Sequence, residues 1–298
     1  MNIIEELPHD LITVLLGHLL RISEVSLVVL AYGNKFWHRI VTRFAIRHFI
    51  NRPIRTSKIA AGGHLELLKW AISNGCVWHY KVCKSAAKNG HLELLKWVRS
   101  QNCPWHLETG IAAAKYGHLE ILQWIKSEGY VLDWRICANA ALGGRMEILK
   151  WARSEGCDWN YVTCAGAAER GHLEILKWAR SEGCSWNWVT CANAASGGHL
   201  ELLQWARSEG CPWDSDVCGH AAENGHLAVI QWARSQGCPW DEKTCANAAK
   251  NGHLEVLKWA RENGCEWDNR VCKYSFLNGH MEVMKWAKLN GCPEYEYE

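Results

Sequence analysis

The chain has 298 residues, 48% of them apolar, which is ample for a core. With 33 basic against 31 acidic side chains the net charge is only +2, so no summed field drives it onto nucleic acid or an anionic membrane. Fifteen cysteines would suggest a disulfide scaffold in a short secreted chain, but this chain is long, the count is odd and the opening MNIIEELPHDL carries acids where a secretory leader needs bases; reduced thiols in cytoplasm or nucleus are expected.

In chain order, residues 1–50 stand apart from everything that follows. IIEELPHDLITVLLGHLL reads as an amphipathic helix opened by Leu7 and Pro8, with a break between Arg21 and Glu24 and further short helices up to Trp37. Its apolar run is interrupted by His18 and closed by Arg21, short of the ~18 residues that a membrane span requires. Leu7, Pro8, Asp10, Leu11, Ile12, Leu15 and Leu16, with a later aromatic at Trp37, match the pattern Leu-Pro-x-Asp/Glu-Leu-Leu-x-x-Ile-Leu. The segment resembles an F-box, although Ala31 to Trp37 stands where an F-box usually ends in Cys-x-x-Trp. That resemblance implies that Leu7, Pro8, Leu11, Ile12, Leu15 and Leu16 contact the Skp-type adaptor of a cullin-RING ubiquitin ligase. The alternative is a helical cap that only shields the first repeat.

Residues 51–292 repeat themselves. Gly-His, or Gly-Arg at Gly144, followed by an apolar stretch ending in Trp recurs with glycines at Gly63, Gly90, Gly117, Gly144, Gly171, Gly198, Gly225, Gly252 and Gly279, a step of 27 residues each time. In GHLEVLKWARENGCEWD, Leu254, Val256, Leu257, Trp259 and Ala260 make one broad apolar face, while Glu255, Lys258 and Arg261 fall opposite: an amphipathic helix. Gly264 supplies a left-handed stop and Asp268 the next N-cap. Asp133, Asn160, Asn187, Asp214 and Asp241 hold that capping position elsewhere, with His79 and His106 as weaker versions. A second short helix follows, as in EKTCANAAKN, with Cys245, Ala248 and Ala249 on one small-residue face. Each unit is thus helix, turn, helix, too small to bury its stripe alone, and neighbouring copies must stack.

The wording Asn-Gly-His-Leu-Glu, preceded by an Ala-Ala pair and recurring with variations in nine copies in register, resembles the ankyrin repeat. The ankyrin unit is usually 33 residues; the shortfall lies between the Gly-Cys turn and the next helix, where ankyrin units carry a β-hairpin finger. No extended finger is expected, and Cys238 to Asp241 should form a compact link with its Trp against the stack.

The loud residue types follow the period. Cysteine pairs such as Cys211/Cys218, beside His220 and His226, look like zinc ligands. Only His220 lacks a counterpart in other copies, and copies lose ligands freely, as at Gly110, Tyr130 and Arg145, so no metal or other cofactor is expected. The Gly-His histidines read as polar caps of the second helices, and tryptophans at fixed positions, such as Trp178 and Trp186, as packing within and between repeats. No P-loop, dinucleotide fingerprint or nucleophile with an orienting base recurs, so the chain is read as no enzyme.

Positions that packing leaves free cluster in the first helix. Just after the cap come Tyr80, Leu107, Trp134, Tyr161, Trp188, Ser215, Glu242 and Asn269, and beside them Lys81, Glu108, Arg135, Val162, Val189, Asp216, Lys243 and Arg270. Four residues further lie Asn139, Gly166, Asn193, His220 and Asn247 on the same helical face. Stacked, the rows make a strip whose middle is aromatic, the kind of anchor that protein interfaces favour. Tyr80, Trp134, Arg135, Tyr161, Val162, Trp188, Val189, Asp216, His220 and Lys243 are the expected target-binding residues. The bland reading is drift, with the aromatics replacing cover lost with the finger.

The sequence therefore predicts an all-α chain: an F-box-like module at 1–50, an α-solenoid of nine ankyrin-like helix pairs at 51–292 and an acidic tail at 293–298. It resembles the F-box/ankyrin proteins of large DNA viruses, which implies a monomeric substrate receptor that brings a target protein to a ubiquitin ligase. The competing reading is a binding scaffold that masks a host protein with no ubiquitin link.

Overall fold

The computed structural model of the chain describes residues 56–73, 76–78, 81–103 and 106–293. The F-box-like module with its adaptor-contacting residues, the cap His79 and the tail from 294 onward lie outside the described residues.

Among the described residues there are eighteen helices and no strand, in nine hairpins. These are α1 Thr56–Ala61 with α2 Leu65–Ser73, α3 Lys81–Lys88 with α4 Leu92–Ser100, and α5 Glu108–Tyr116 with α6 Leu119–Ser127. Then come α7 Trp134–Leu142 with α8 Met146–Ser154, α9 Tyr161–Glu169 with α10 Leu173–Ser181, and α11 Trp188–Ser196 with α12 Leu200–Ser208. Last are α13 Asp216–Glu223 with α14 Leu227–Ser235, α15 Glu242–Lys250 with α16 Leu254–Glu262, and α17 Asn269–Leu277 with α18 Met281–Leu289. The chain divides into two compact units, residues 1–129 and 130–298. The division falls in the link where Tyr130 and Leu132 stand in place of the Cys and Trp of other links.

Within the first unit α1, α3 and α5 pack side by side in order, and within the second α7, α9, α11, α13, α15 and α17 do the same. Each even-numbered helix packs on the odd-numbered helix before it. Side-chain size explains the arrangement. The helix α9 buries Thr163, Cys164, Ala165, Gly166, Ala167 and Ala168, small groups that let neighbouring odd-numbered helices approach closely. Its partner α10 buries Ile175, Leu176 and Ala179, and the leucine at this position, as in Leu149, Leu176 and Leu203, is fully enclosed. Burying one such side chain contributes roughly 1.5–3 kcal/mol.

The expected caps form. Asp133, Asn160, Asn187, Asp241 and Asp268 each accept from the backbone N–H two residues on. Asp214 accepts from the Asp216 N–H at 3.0 Å, and His106 Nδ1 from the Glu108 N–H at 3.2 Å.

The Gly-His histidines, in contrast, are not helix caps. Although each sits before an even-numbered helix, His91, His118, His172, His199, His226 and His253 make no capping hydrogen bond with their side chains. They tie one hairpin to the one before it. Nε2 of His91, His118, His199, His226 and His253 lies 2.9–3.2 Å from the carbonyl oxygens of Ala61, Lys88, Glu169, Ser196 and Glu223. A carbonyl only accepts, so Nε2 carries the proton and donates. His172 bonds the Leu142 backbone in the same way, and burial holds its pKa below the usual imidazole range. Each ring also covers the glycine of the preceding hairpin: a Cβ on Gly171 would lie 2.6 Å from His199 Nδ1. Gly171 is thus doubly required, by its φ of 72° and by the ring above it.

Two stability measurements test this packing by urea unfolding. Gly171→Ala should cost about 2–4 kcal/mol, combining left-handed strain with the displaced His199, whereas Gly183→Ala, with φ 82° but open space around it, should cost only about 1–2 kcal/mol. Thr190 is fully buried and its hydroxyl has no hydrogen-bond partner, while Val217 and Val271 fill the same place in other copies. Thr190→Val should therefore raise stability by about 1 kcal/mol.

Candidate functional site

The cysteines pair across the hairpin rather than along the sequence. The partner of the odd-helix cysteine is not the one seven residues away but the one twenty residues on, in the turn after the even-numbered helix. Cys83 and Cys103 have their sulfurs 3.7 Å apart, and Cys137, Cys164, Cys191 and Cys245 bond Cys157, Cys184, Cys211 and Cys265. Those bonds first, and burial second, push the Cys137, Cys164, Cys191 and Cys245 thiols far up. The turn thiols also donate to the capping residue's carbonyl, as Cys184 does to Asn160 at 3.3 Å. Among the described residues no three His, Cys, Asp or Glu side chains come together to hold a metal ion.

The tryptophans form a second connection, on the side of the even-numbered helices. Trp159, in the link before α9, meets the Arg153 guanidinium of α8 at 4.3 Å and the edge of Trp178 in α10 at 5.7 Å. Arg180, Trp186 and Trp205 repeat the arrangement, as do Arg207, Trp213 and Trp232, then Arg234, Trp240 and Trp259. Arg153 and Arg180 also donate to the Cys157 and Cys184 carbonyls. These rings are half-buried rather than core, and they join successive even-numbered helices through the link. Each contact is worth about 0.5–1.5 kcal/mol.

The strip of free positions lies on the odd-numbered helices. Trp134, Tyr161 and Trp188 are the first residues of α7, α9 and α11, one layer apart, each held at the helix start by the capping side chain before it. They are 37, 42 and 41% exposed, and unlike the ladder tryptophans they pair with no other ring among the described residues. Val162 and Val189 lie half-buried beside them. Arg135 is held by Asp133 through its Nε and Nη2, the latter 2.8 Å from Oδ2, with its guanidinium 5.9 Å from the Trp134 ring. Asp216 has no ion-pair partner among the described residues, and Lys243 is exposed. His220 lies with Nδ1 3.7 Å from Glu223, which Lys250 holds at 3.2 Å. Tyr80 lies outside the described residues.

One row of the strip is less free than its variation suggests. Asn193 and Asn247 donate at 3.1 Å to the Ala165 and Gly219 carbonyls of the preceding odd-numbered helix, and Asn139 donates to Arg135 in its own helix. These amides are part of the stack, a role visible only once the helix twenty-eight residues earlier is in place. What the strip offers chemically is apolar ring surface followed by the carboxylates of Asp214, Asp216 and Asp241, none in an ion pair among the described residues.

Fold and site together define an all-α protein built of stacked helical hairpins that present a row of aromatic side chains. No protein-family model and no curated protein matches the chain. No described helix is long and apolar enough to cross a membrane.

Ring position separates ladder from strip in a stability assay. Trp186→Ala should cost about 2–3 kcal/mol, since it empties a place between Arg180 and Trp205, whereas Trp134→Ala, Tyr161→Ala and Trp188→Ala should each stay within about 1 kcal/mol of the parent. Thermal unfolding by circular dichroism reads both.

Proposed function

We propose that the chain is a non-catalytic protein-binding adaptor in which the strip on the odd-numbered helices holds a target protein. The observation that carries this reading is the contrast in ring exposure: the ladder tryptophans are paired, while Trp134, Tyr161 and Trp188 stand open on three successive layers. Leaving three large apolar rings facing water is unfavourable for an isolated chain and favourable for one that covers them with a partner. The repeat resembles an ankyrin unit without its finger, and ankyrin-type proteins usually bind through the corresponding face.

The likeness of residues 4–44 to an F-box supports the fuller proposal. Leu7, Pro8, Leu11, Ile12, Leu15 and Leu16 would dock on the Skp-type adaptor of a cullin-RING ligase, and the target would be ubiquitinated by proximity, as the resemblance to viral F-box/ankyrin proteins implies. A second reading, which needs only the strip, is a scaffold that masks its target with no ubiquitin link. Pull-down with purified adaptor decides between them. Capture by the intact chain, lost on changing Leu7 and Pro8 to Ala, is the expected result; absence of capture by the intact chain leaves the masking scaffold.

A further inference from the structure

We infer that the strip of the second unit takes a proline-rich segment in the polyproline II conformation, carrying a lysine or arginine beyond its last ring contact. The inference rests on the reading of the strip as a recognition surface and names the chemistry of its occupant.

Period comes first. Trp134, Tyr161 and Trp188 open three consecutive odd-numbered helices that pack directly on one another. Packed helix axes lie roughly 8–10 Å apart, so the rings recur at about that interval. A polyproline II helix turns once every three residues at ~3.1 Å per residue, and presents the same edge every ~9.3 Å. Residues i, i+3 and i+6 of such a segment meet the three rings in turn. A β-strand returns to the same face every ~6.7 Å and falls out of step after one layer.

Width comes second. An amphipathic helix of ~10 Å diameter needs a broad apolar trough. Here the row beside the rings is Asn139, Gly166 and Asn193, and the amides of Asn139 and Asn193 are committed to backbone carbonyls. Apolar surface is one rank of rings wide, with Val162 and Val189 at its base. That suits a thin prism whose pyrrolidine faces stack on aromatic rings and whose conformation is already ordered before binding.

Charge fixes the end of the segment. Along the strip most charges are matched: Arg135 by Asp133, Glu169 by Arg170, Glu223 by Lys250 and Glu242 by Arg270. In the layers after Trp188 stand Asp214, Asp216 and Asp241, none of them in an ion pair among the described residues, with Lys243 exposed a layer further on. The Ser215 hydroxyl donates to Asp241 at 3.2 Å and the Asp216 N–H to Asp214, which leaves the Asp216 carboxylate to an incoming cation.

The test is fluorescence anisotropy with the full chain and labelled synthetic peptides. The main probe has three Pro-Pro-Ala triplets closed by Pro-Pro-Arg; comparators are the same peptide closed by Pro-Pro-Glu, and an amphipathic helical peptide of equal length. Saturable binding of the arginine peptide is expected, weakened about ten-fold or more by Trp134→Ala, Tyr161→Ala or Trp188→Ala with unchanged circular dichroism. Asp216→Asn and the glutamate-closed peptide should each lose affinity, and added salt should weaken the parent complex. No binding of the arginine peptide, binding that survives loss of all three rings, or tighter binding of the helical peptide would each overturn the inference. Proximity labelling with the triple aromatic variant keeps the two levels apart. If the variant loses the parent's neighbours while the proline peptide fails, the strip still recognises protein and only its occupant is wrong; if it keeps them all, the recognition surface itself is refuted.

Discussion

No helix described in this chain exceeds nine residues, and an isolated helix of that length is marginal in water even with favourable composition. Everything else follows from that constraint. The backbone hydrogen bonds of each helix persist only because a neighbour removes its apolar stripe from solvent, so the unit of stability is the contact between hairpins. The sequence spends its small residues accordingly. Alanine, cysteine, threonine and glycine line the odd-numbered helices where axes must approach, and leucine and isoleucine sit on the even-numbered helices where volume must be filled.

Two couplings link successive hairpins of the second unit. In one, imidazoles such as those of His199 and His226 reach the preceding hairpin's carbonyl and lie over its glycine. In the other, an arginine, a link tryptophan and a helix tryptophan join successive even-numbered helices. The ladder compensates for a geometric weakness. The even-numbered helices touch their own partners more than one another, so a link of six residues between Ser154 and Tyr161 has to carry the contact. In the hairpins that keep both cysteines a buried thiol pair then closes the hairpin, and turn sulfurs such as those of Cys184, Cys211 and Cys265 donate to the carbonyl of the capping residue.

These demands leave little of each repeat unassigned. What remains is the opening turn of the odd-numbered helices, where the cap fixes the backbone and the side chains after it are unconstrained. Variation concentrated there meets a rigid support, which is the condition for specific recognition at low conformational cost. The rings of Trp134, Tyr161 and Trp188 occupy that turn on adjacent layers, and the acidic group formed by Asp214, Asp216 and Asp241 follows them.

The repeat period, the helix-turn-helix unit, the Asp and Asn caps, the left-handed glycines and the absence of strand in the links were all legible in the sequence, because each depends on residues within one turn of one another. The variation at the start of the odd-numbered helices was legible too, since nine internal copies can be compared position by position. The partners of His199, Cys184, Trp186 and Asn193 were not legible. Their partners Glu169, Cys164, Trp205 and Ala165 lie nineteen to thirty residues away along the chain, at separations set by how hairpins stack rather than by any local spacing. Thus the histidines looked like caps, the cysteines like seven-residue pairs and the asparagines like free surface. Short-range chemistry determined the elements and their ends; only the juxtaposition of one hairpin on the next decided what each polar side chain holds, because hydrogen bonds and ring contacts depend on distance in space and not on order in the chain.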